Sequence, residues 1–206
     1  MTHEQQTQAA WDERYAGQHQ MWSGNPNGAL VAEVDGMVPG RVLDVGCGEG
    51  ADAVWLARGG WDVTGLELSG VALDRARQHA LDAGVEITWL HSGFVDANLP
   101  SHSFDLVSAQ YPVLLKTATA EAERALLDVV AIGGVLLFVH HADVENSQAH
   151  DPQFDHADYV WPRMVRELLD DNWVIEVDER RPRSVPEGGA GAHHVDDLVL
   201  RARRLR

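Results

Sequence analysis

The sequence is poor in cysteine and has no segment that resembles an export signal. Cys47 is the one cysteine among 206 residues, so no disulfide can form within the chain. Proteins without structural disulfides are typical of reducing compartments. Residues 1–20 also lack the basic, apolar and small-residue order of a signal peptide. We therefore expect a cytoplasmic protein.

Positive charge is scarce as well. Lysine and arginine together number 16, against 32 aspartates and glutamates, which gives a formal net charge of −16. Lys116 is the single lysine. A body this acidic repels phosphate backbones and anionic membrane surfaces, so we expect neither nucleic acid nor a membrane as a partner. Residues 201–206 contain four arginines, which we interpret as a small basic patch or as solvated charge.

Long apolar runs, internal repeats and low-complexity segments are also absent. The longest apolar stretch, residues 129–139, is interrupted by Gly133 and Gly134 and is shorter than the roughly 20 residues that span a bilayer. Hydrophobic residues make up 45% and charged residues 23% of the chain, which excludes a disordered or fibrous protein. The length fits a single domain.

From residue 41 onward, short apolar segments with strand character alternate with helical segments that end at glycines. This alternation indicates βαβ units, and hence an α/β protein whose parallel sheet is covered by helices on both faces. Strands are predicted at residues 42–45, 62–68, 86–91, 104–109 and 135–140, and helices at 51–58, 69–83 and 118–130.

The two ends of the chain depart from this alternation. The polar N-terminal segment 1–40 is predicted to lie outside the sheet as a helical cap. At the other end, two strands follow each other without a helix between them, and a hairpin requires antiparallel pairing. The sheet should therefore be parallel, with one antiparallel strand near its edge. The predicted cap helices are 8–16 and 29–34, and the C-terminal elements are a helix at 159–170 and strands at 173–180 and 197–202.

The most informative segment is residues 42–50, Val-Leu-Asp-Val-Gly-Cys-Gly-Glu-Gly, a strand followed by Gly-x-Gly-x-Gly at the start of a helix. Glycines let the backbone turn sharply and let a ligand approach it closely. The helix N-terminus offers unpaired N–H groups. Glu67 ends the next strand, where a carboxylate can accept both hydroxyls of an unphosphorylated ribose. The pattern predicts a nucleoside site.

Two details favour a cationic nucleoside over a dinucleotide. The glycines are spaced as Gly-x-Gly-x-Gly, whereas dinucleotide sites use Gly-x-Gly-x-x-Gly. Asp44 precedes the first glycine, where its carboxylate would oppose a pyrophosphate but suit a cation. S-adenosylmethionine (SAM) carries a sulfonium, an ammonium and one ribose, and it is the cofactor that we predict.

Several segments resemble the class I SAM-dependent methyltransferases. Residues 43–50 are similar to the first motif of that family and residues 63–69 to its second. Residues 99–107 are similar to its fourth-strand signature, and residues 132–136 to the turn into strand five. The resemblance implies a three-layer Rossmann-like sandwich, with a seven-stranded, mostly parallel sheet and an antiparallel seventh strand. It also implies one methyltransferase domain, with a cap or lid at 1–40 and a SAM-binding core at 41–206.

The N-terminal segments 11–15 and 22–27 resemble the cap of the tellurite-resistance and thiopurine-type branch, whose members methylate small soft nucleophiles. The implied reaction is an in-line methyl transfer to a small molecule, in which the enzyme mainly aligns nucleophile, methyl and sulfur. Two alternatives stay open. One is a non-catalytic SAM-binding regulatory module, and the other is an NAD-dependent oxidoreductase.

The resemblance also implies roles for single residues. The methionine moiety would lie along the glycine loop, with Asp44 near its amino group. Glu67 would hold the ribose, and the adenine would lie near the residues before strand four. Asp96 is displaced from the position at which the family has an acidic adenine contact, so it is a ligand or a solvated loop acid. The implied cofactor-binding residues are Asp44, Gly46, Cys47, Gly48, Glu67, Leu68, Gly93, Phe94 and Gln110.

Substrate residues are predicted from the rule that ligands of open α/β sheets lie at the carboxyl ends of the strands. His140 and His141 end predicted strand five, and a histidine near neutral pH can accept a proton. Histidines satisfied by neighbouring carboxylates, or a metal site with Asp143, Asp151 or Asp155, are the alternatives. Without an HExxH or CxxC pattern, we predict no metal. The catalytic candidates are His140, His141 and Tyr111, and the substrate or lid candidates are Arg14, Tyr15, Trp22, Trp161, His193 and His194.

Overall fold

The computed structural model describes residues 3–142, 158–183 and 194–206, and within them a seven-stranded sheet is flanked by helices. The strands lie in the order β3-β2-β1-β4-β5-β7-β6. The strands are β1 (Arg41–Val45), β2 (Asp62–Glu67), β3 (Thr88–His91), β4 (Phe104–Gln110), β5 (Val130–His141), β6 (Trp173–Pro182) and β7 (Asp196–Arg204). The helices are α1 (His3–Ala16), α2 (Gly28–Val34), α3 (Ala51–Arg58), α4 (Gly70–Ala83), α5 (Glu121–Asp128) and α6 (Pro162–Arg166).

Strand direction follows the predicted pattern. Strands β1 to β5 pair in parallel, and β7 is antiparallel to both of its neighbours, β5 and β6. Because β5 and β6 are both antiparallel to β7, β6 runs in the same direction as β1 to β5. The carboxyl ends of these six strands and the start of β7 meet at one edge of the sheet. The predicted α/β fold, with a mostly parallel sheet and an antiparallel last strand, is confirmed.

Strand β5 shows why the sheet is buried on both faces. Successive side chains of a strand point to opposite faces. Leu136 and Phe138 belong to the core that contains Leu126 of α5, whereas Leu137 packs in the second core with Leu30 of α2. A strand covered on both sides is apolar at consecutive positions, as expected for the central strands of an α/β sheet.

Helix α4 begins and ends where its sequence predicts. The Ser69 hydroxyl accepts a hydrogen bond from Ala72 N at 3.2 Å and caps the first turn. At the other end, Gly84 adopts a left-handed conformation, with φ of 67°. Among the described residues, no helix has the length and apolar character needed to cross a membrane.

The boundary between α5 and β5 corrects the sequence analysis. The helix predicted at 118–130 covers only Glu121–Asp128, and β5 already begins at Val130, which pairs with Phe104. Gly133 and Gly134 do not end a helix. They lie inside the strand, where the register between β4 and β5 shifts and Gly133 has a φ of 80°. Glycine permits such an irregularity within a strand.

The helix predicted at 159–170 is also shorter than expected. Tyr159 forms a bridge with Leu115, and Val160 N donates to Leu114 O at 2.8 Å. These residues are therefore extended, and α6 begins only at Pro162. Proline fits the first turn of a helix because its missing N–H would have no partner there.

Three of the four C-terminal arginines are paired within the fold, whereas Arg206 is exposed. Arg203 pairs with Glu176 at 2.6 Å, and Arg201 pairs with Glu176 at 3.0 Å and with the buried Glu33 at 3.5 Å. Arg204 donates to the carbonyls of residues 127 and 130, at 3.0 and 3.2 Å. These contacts join the last strand to its neighbours and to α2, so these three arginines stabilise the fold.

Candidate active site

A cavity of about 230 Å³ lies over the carboxyl ends of the central strands. Strand order reverses at β1, whose neighbours are β2 and β4, and ligands of open α/β sheets bind at such a switch point. All nine predicted cofactor residues line the cavity: Asp44, Gly46, Cys47, Gly48, Glu67, Leu68, Gly93, Phe94 and Gln110.

The loop after β1 depends on its glycines. Gly46, Gly48 and Gly50 all have left-handed conformations, with φ of 71°, 53° and 82°. A side chain at these positions would be strained. A Cβ at Gly48 would also lie 3.1 Å from the hydroxyl oxygen of Tyr15. The glycine loop thus turns tightly and leaves room for the N-terminal segment to approach it.

Trp89 of β3 supports this loop from the side of the sheet. A Cβ at Gly65, its partner in β2, would lie 2.5 Å from the Trp89 ring, and a Cβ at Gly50 would lie 3.1 Å from it. Cys47 is also close, since its Sγ would be 3.2 Å from a Cβ at Gly65. Burial raises the pKa of the Cys47 thiol, so the residue fits as a small side chain in a tight space.

The cavity is acidic on this side. Asp44, Asp52 and Glu67 are all buried, and burial raises the pKa of each carboxyl. The negative charges of Asp52 and Glu67 raise the pKa of Asp44 further. Bringing a cation into this side of the cavity would relieve the repulsion among the carboxylates and favour their ionised forms.

Two buried side-chain oxygens of residues that line the cavity have no hydrogen-bond partner among the described residues. They are Asp44 Oδ2 and Gln110 Oε1. Buried polar atoms are almost always paired, and an unpaired one costs free energy. A ligand with a cationic N–H group would satisfy both. The structure therefore fits the ammonium group of the predicted cofactor at this point.

Glu67 is held at the centre of the site. Its Oε2 accepts from Gly48 N at 3.0 Å, and its Oε1 accepts from Ser69 N at 2.8 Å. A carboxylate has about four acceptor positions, so these two bonds leave capacity for ligand hydroxyls. Since the two backbone groups fix the orientation of the carboxylate, its geometry suits the two hydroxyls of a ribose.

Residues 17–27 cross the site and are fastened by an ion pair that we name the Glu49–Arg75 clamp. Glu49 accepts from the backbone N–H groups of Met21 and Trp22, at 3.1 and 3.0 Å, and pairs with Arg75 at 2.7 Å. Arg75 donates in turn to Tyr15 O at 2.7 Å and to the carbonyl of residue 18 at 2.5 Å. The clamp joins the N-terminal segment to the glycine loop and α4.

Two of the predicted lid residues line the cavity. Trp22 Nε1 donates to the Tyr15 hydroxyl at 3.0 Å, and both side chains face the glycine loop. Asn27 donates to both carboxylate oxygens of Asp52, each at 2.7 Å. Arg14 lies outside the cavity, because it is exposed on α1 and its guanidinium sits 5.3 Å from the Trp11 ring.

The opposite end of the cavity is built around Asp197, and we name Tyr111, His141, Arg183 and Asp197 the Asp197 cluster. The first three line the cavity, and Asp197 lies behind them with 2% of its surface exposed. Asp197 Oδ2 accepts from the Tyr111 hydroxyl at 3.0 Å. Asp197 Oδ1 lies 3.8 Å from His141 Nδ1 and 3.9 Å from Arg183 Nε.

The rings of this cluster form a stack. Tyr111 and His141 stack with centroids 4.1 Å apart, and the Arg183 guanidinium lies 4.8 Å over the Tyr111 ring. Tyr111 has a φ of 52°, a left-handed conformation that costs a non-glycine residue about 1–3 kcal/mol. The stack and the bond to Asp197 hold it there.

Burial lowers the pKa of His141 to about 4, against the smaller opposing effect of Asp197. Burial also raises the pKa of Tyr111, and the Asp197 charge raises it further. Both side chains are therefore neutral at pH 7. A neutral imidazole in the cavity wall can accept a hydrogen bond or a proton.

Other predicted substrate residues do not reach the cavity. His140 lies on the opposite face of β5 from His141 and packs against Trp161, with ring centroids 4.1 Å apart. His194 stacks on His141 at 3.8 Å and is not in the cavity wall. His193 lies outside the described residues.

In the part of the chain that the structure describes, no group of three or more histidines, cysteines or acids is placed to hold a metal ion. The alternative metal ligands Asp143, Asp151 and Asp155 lie outside that part. Glu49, Arg183 and Asp197 were not among the site residues predicted from the sequence. The signal for Glu49 was its place between two glycines of the loop. Asp197 lies three residues after the predicted site residue His194, but no motif distinguishes it from the neighbouring Asp196.

Comparisons with known proteins agree with this geometry. Residues 42–134 match a family model described as a methyltransferase domain. A ubiquinone biosynthesis O-methyltransferase from Pectobacterium atrosepticum is 34% identical over 113 residues, 54% of this chain and 46% of that protein. One from Vibrio cholerae is 39% identical over 80 residues, 38% of this chain and 33% of that protein. The chain thus spans less than half the length of these curated relatives.

Solved structures share the fold. An S-adenosylmethionine-dependent methyltransferase from Mesorhizobium loti superposes with a TM-score of 0.63 and 20% identity, over 85% of this chain and 96% of that one. A structure concerned with the conversion of a disulfide bond into a thioacetal group during echinomycin biosynthesis gives a TM-score of 0.72 and 24% identity, over 96% and 92%. The family match contains the acidic side of the cavity, whereas His141, Arg183 and Asp197 lie beyond it.

Proposed function

We propose that this chain is a class I SAM-dependent methyltransferase, which transfers a methyl group from SAM to a small-molecule nucleophile. The match of residues 42–134 to a methyltransferase domain and the order of the sheet support the predicted family and its cofactor. The observation that carries the proposed activity is the pair of buried, unpartnered acceptors, Asp44 Oδ2 and Gln110 Oε1, at the strand switch point. The branch with tellurite-resistance and thiopurine-type enzymes stays a prediction.

The donor side of the cavity fits SAM group by group. Asp44 and Gln110 would hold its ammonium, and Glu67 would accept its ribose hydroxyls. Leu68 and Phe94 would flank the adenine. When bound, SAM supplies a methyl group on positively charged sulfur; transfer forms the bond from acceptor to methyl carbon as the carbon–sulfur bond breaks, with its electron pair kept by sulfur.

The residues of the chain contribute alignment and shielding. The carboxylates of Asp44 and Glu67 would orient the donor by charge-assisted bonds from a dry, preorganised wall. Tyr15 and Trp22, fastened by the Glu49–Arg75 clamp, would exclude water from one side. Tyr111 and His141 would face the acceptor from the other side. Holding two reactants in line in this way supplies much of the rate enhancement of such transfers.

The acceptor class is open to direct screening. The curated relatives are named as O-methyltransferases, which makes an oxygen nucleophile the first class to test. The predicted branch makes a soft nucleophile such as a thiol the second. Release of S-adenosylhomocysteine (SAH) would report turnover with either.

The cofactor is tested by calorimetric titration of the purified protein with SAM, SAH and NAD. We expect micromolar binding of the two adenosyl ligands. Glu67→Ala should weaken it by about ten- to hundredfold, since hydrogen bonds to a charged group are lost. Asp62→Ala, exposed at the other end of β2, is the matched control and should bind as the wild type does. Tighter binding of NAD, or no binding of SAH, would contradict the proposal.

A further inference from the structure

We propose that Arg183 makes the acceptor side of the cavity selective for a small molecule that carries a negative charge, such as a carboxylate. This inference rests on the proposed function, because it names the acceptor class of that same site. It is carried by the distribution of charge around the cavity and by the way in which Arg183 is held.

Charge is divided between the two ends of the cavity. Asp44, Asp52 and Glu67 lie at the donor end. Arg183 lies at the other end and is the only arginine or lysine among the described residues that line the cavity. SAM has a net positive charge, because its ammonium and sulfonium outnumber its one carboxylate. The donor and a negatively charged acceptor would therefore each meet side chains of opposite charge. In a cavity partly closed to water, this arrangement orders the two ligands.

Arg183 is held in place and does not extend into solvent. Its side chain is 12% exposed, its Nε lies 3.9 Å from Asp197, and its guanidinium lies over the Tyr111 ring. Asp197 is behind this layer and does not line the cavity. The charge that faces the cavity is thus that of the guanidinium, whose planar fork matches the two oxygens of a carboxylate.

The neighbours of Arg183 give a surface that suits an ionised acceptor. The Tyr111 and His141 rings form a flat, neutral wall beside it. An acceptor that enters as an anion needs no base to remove a proton before transfer. Its negative charge and the positive charge on the sulfur of the donor disappear together when the methyl group moves. A neutral imidazole at His141 is compatible with this reaction, because an anionic acceptor has no proton to transfer to the imidazole.

The test uses protein saturated with SAH and titrated with pairs of an acid and its amide: benzoate and benzamide, phenylacetate and phenylacetamide, hexanoate and hexanamide. Binding is measured by calorimetry and by ligand-observed NMR. We expect at least one carboxylate to bind about tenfold or more tightly than its amide. Arg183→Gln should remove that preference, and Arg183→Lys should keep part of it, since the charge remains without the fork.

Arg180→Gln is the matched control. Arg180 lies in β6 three residues earlier, is exposed, and pairs with Asp196 at 2.6 Å. This variant should keep the full preference for the acid. Thermal unfolding of each variant checks that the fold is retained.

The outcomes separate this inference from the one on which it rests. If SAH does not bind to the wild type, the proposed function fails, and the acceptor class falls with it. If SAH binds but no carboxylate binds more tightly than its amide, only the present inference is wrong. A preference for the acid that survives in Arg183→Gln would overturn it as well.

Discussion

The two ends of the cavity are built in opposite ways. The centre of the donor end comes from one short stretch of chain. Gly48 and Glu67, which bond to each other, are 19 residues apart; Gly48 follows β1, and Glu67 ends the neighbouring strand β2. At the acceptor end, Tyr111 and Asp197 are 86 residues apart and meet only through the pairing of β4, β5 and β7. A ligand site made from a local motif can be read from sequence, whereas one made by sheet pairing requires the fold.

The two ends also differ in whether acid raises or lowers the stability of the folded form. At the donor end, burial raises the pKa of Asp44, Asp52 and Glu67. At the acceptor end, burial lowers the pKa of His141 to about 4. Acid therefore favours the folded form of the donor end and opposes that of the acceptor end.

The largest effect should come from Asp44→Asn at the donor end. Losing the charge that faces the ammonium should weaken SAH binding by about hundredfold, as expected for a charge-assisted bond. The free protein should be as stable as the wild type or more so, since repulsion from Asp52 and Glu67 is relieved. Calorimetry and thermal unfolding measure the two quantities.

Adenosine, which has no amino acid moiety, is the control ligand for this variant. It should bind Asp44→Asn as it binds the wild type. An equal loss for adenosine and SAH would mean that Asp44 supports the pocket as a whole and does not contact the ammonium.

The next effect concerns the acceptor end and pH. Since the folded pKa of His141 is about 4 and the unfolded value is 6.5, the unfolded chain binds more protons between these values. Stability from this residue is complete above pH 6.5 and is lost as pH falls towards 4. The loss amounts to about 2 kcal/mol between pH 7 and pH 5.

Urea unfolding of wild type and His141→Gln over this range measures the difference between them. The variant should lack this part of the pH dependence. The free energy of unfolding should therefore fall less for the variant than for the wild type as the pH is lowered. If the free energies of unfolding of the two proteins changed in parallel with pH, the pKa of His141 would be the same in the folded and unfolded states. The contrast between the two ends would then be wrong.

The smallest of the three effects should come from Glu49→Gln, which weakens the Glu49–Arg75 clamp. We expect about tenfold weaker SAH binding, because one buried, charge-assisted contact is lost while the amide still accepts a backbone bond. Hydrogen exchange at the amides of Met21 and Trp22 should become faster.

Asp74→Asn is the control for the clamp, since Asp74 is an exposed residue of α4 that pairs with Arg77. It should change neither quantity. The preference for acids over amides should survive in Glu49→Gln; if it disappeared, the two ends of the cavity would not be independent.

Much of the fold and of the donor end could be predicted from sequence patterns. The alternation of strands and helices, the Ser69 cap and the glycine loop all depend on residues close together in the chain. The same locality explains the errors. Gly133 and Gly134 signal a break in regular structure, but whether that break ends a helix or bends a strand depends on β4, which pairs there.

The acceptor end shows most clearly what could not be predicted from the sequence. His140 and His141 are equivalent in the sequence, and one residue of register decides which of them faces the cavity. The preceding residues of β5 are apolar on both faces, so no alternating pattern fixes that register. Asp197 is the second residue of β7 and is followed by apolar residues. Its partners Tyr111 and Arg183 are defined only by the position of β7 in the sheet.

The contact of Trp89 with Gly65 and Gly50 has a consequence for how this chain can change over time. Each glycine leaves the space that the indole ring occupies, so a methyl group at Gly65 is excluded while the ring is present. The three positions are therefore not free to mutate one at a time. Among descendants of a common ancestor, a smaller residue at position 89 should come first, and only then should alanine or serine be accepted at position 65.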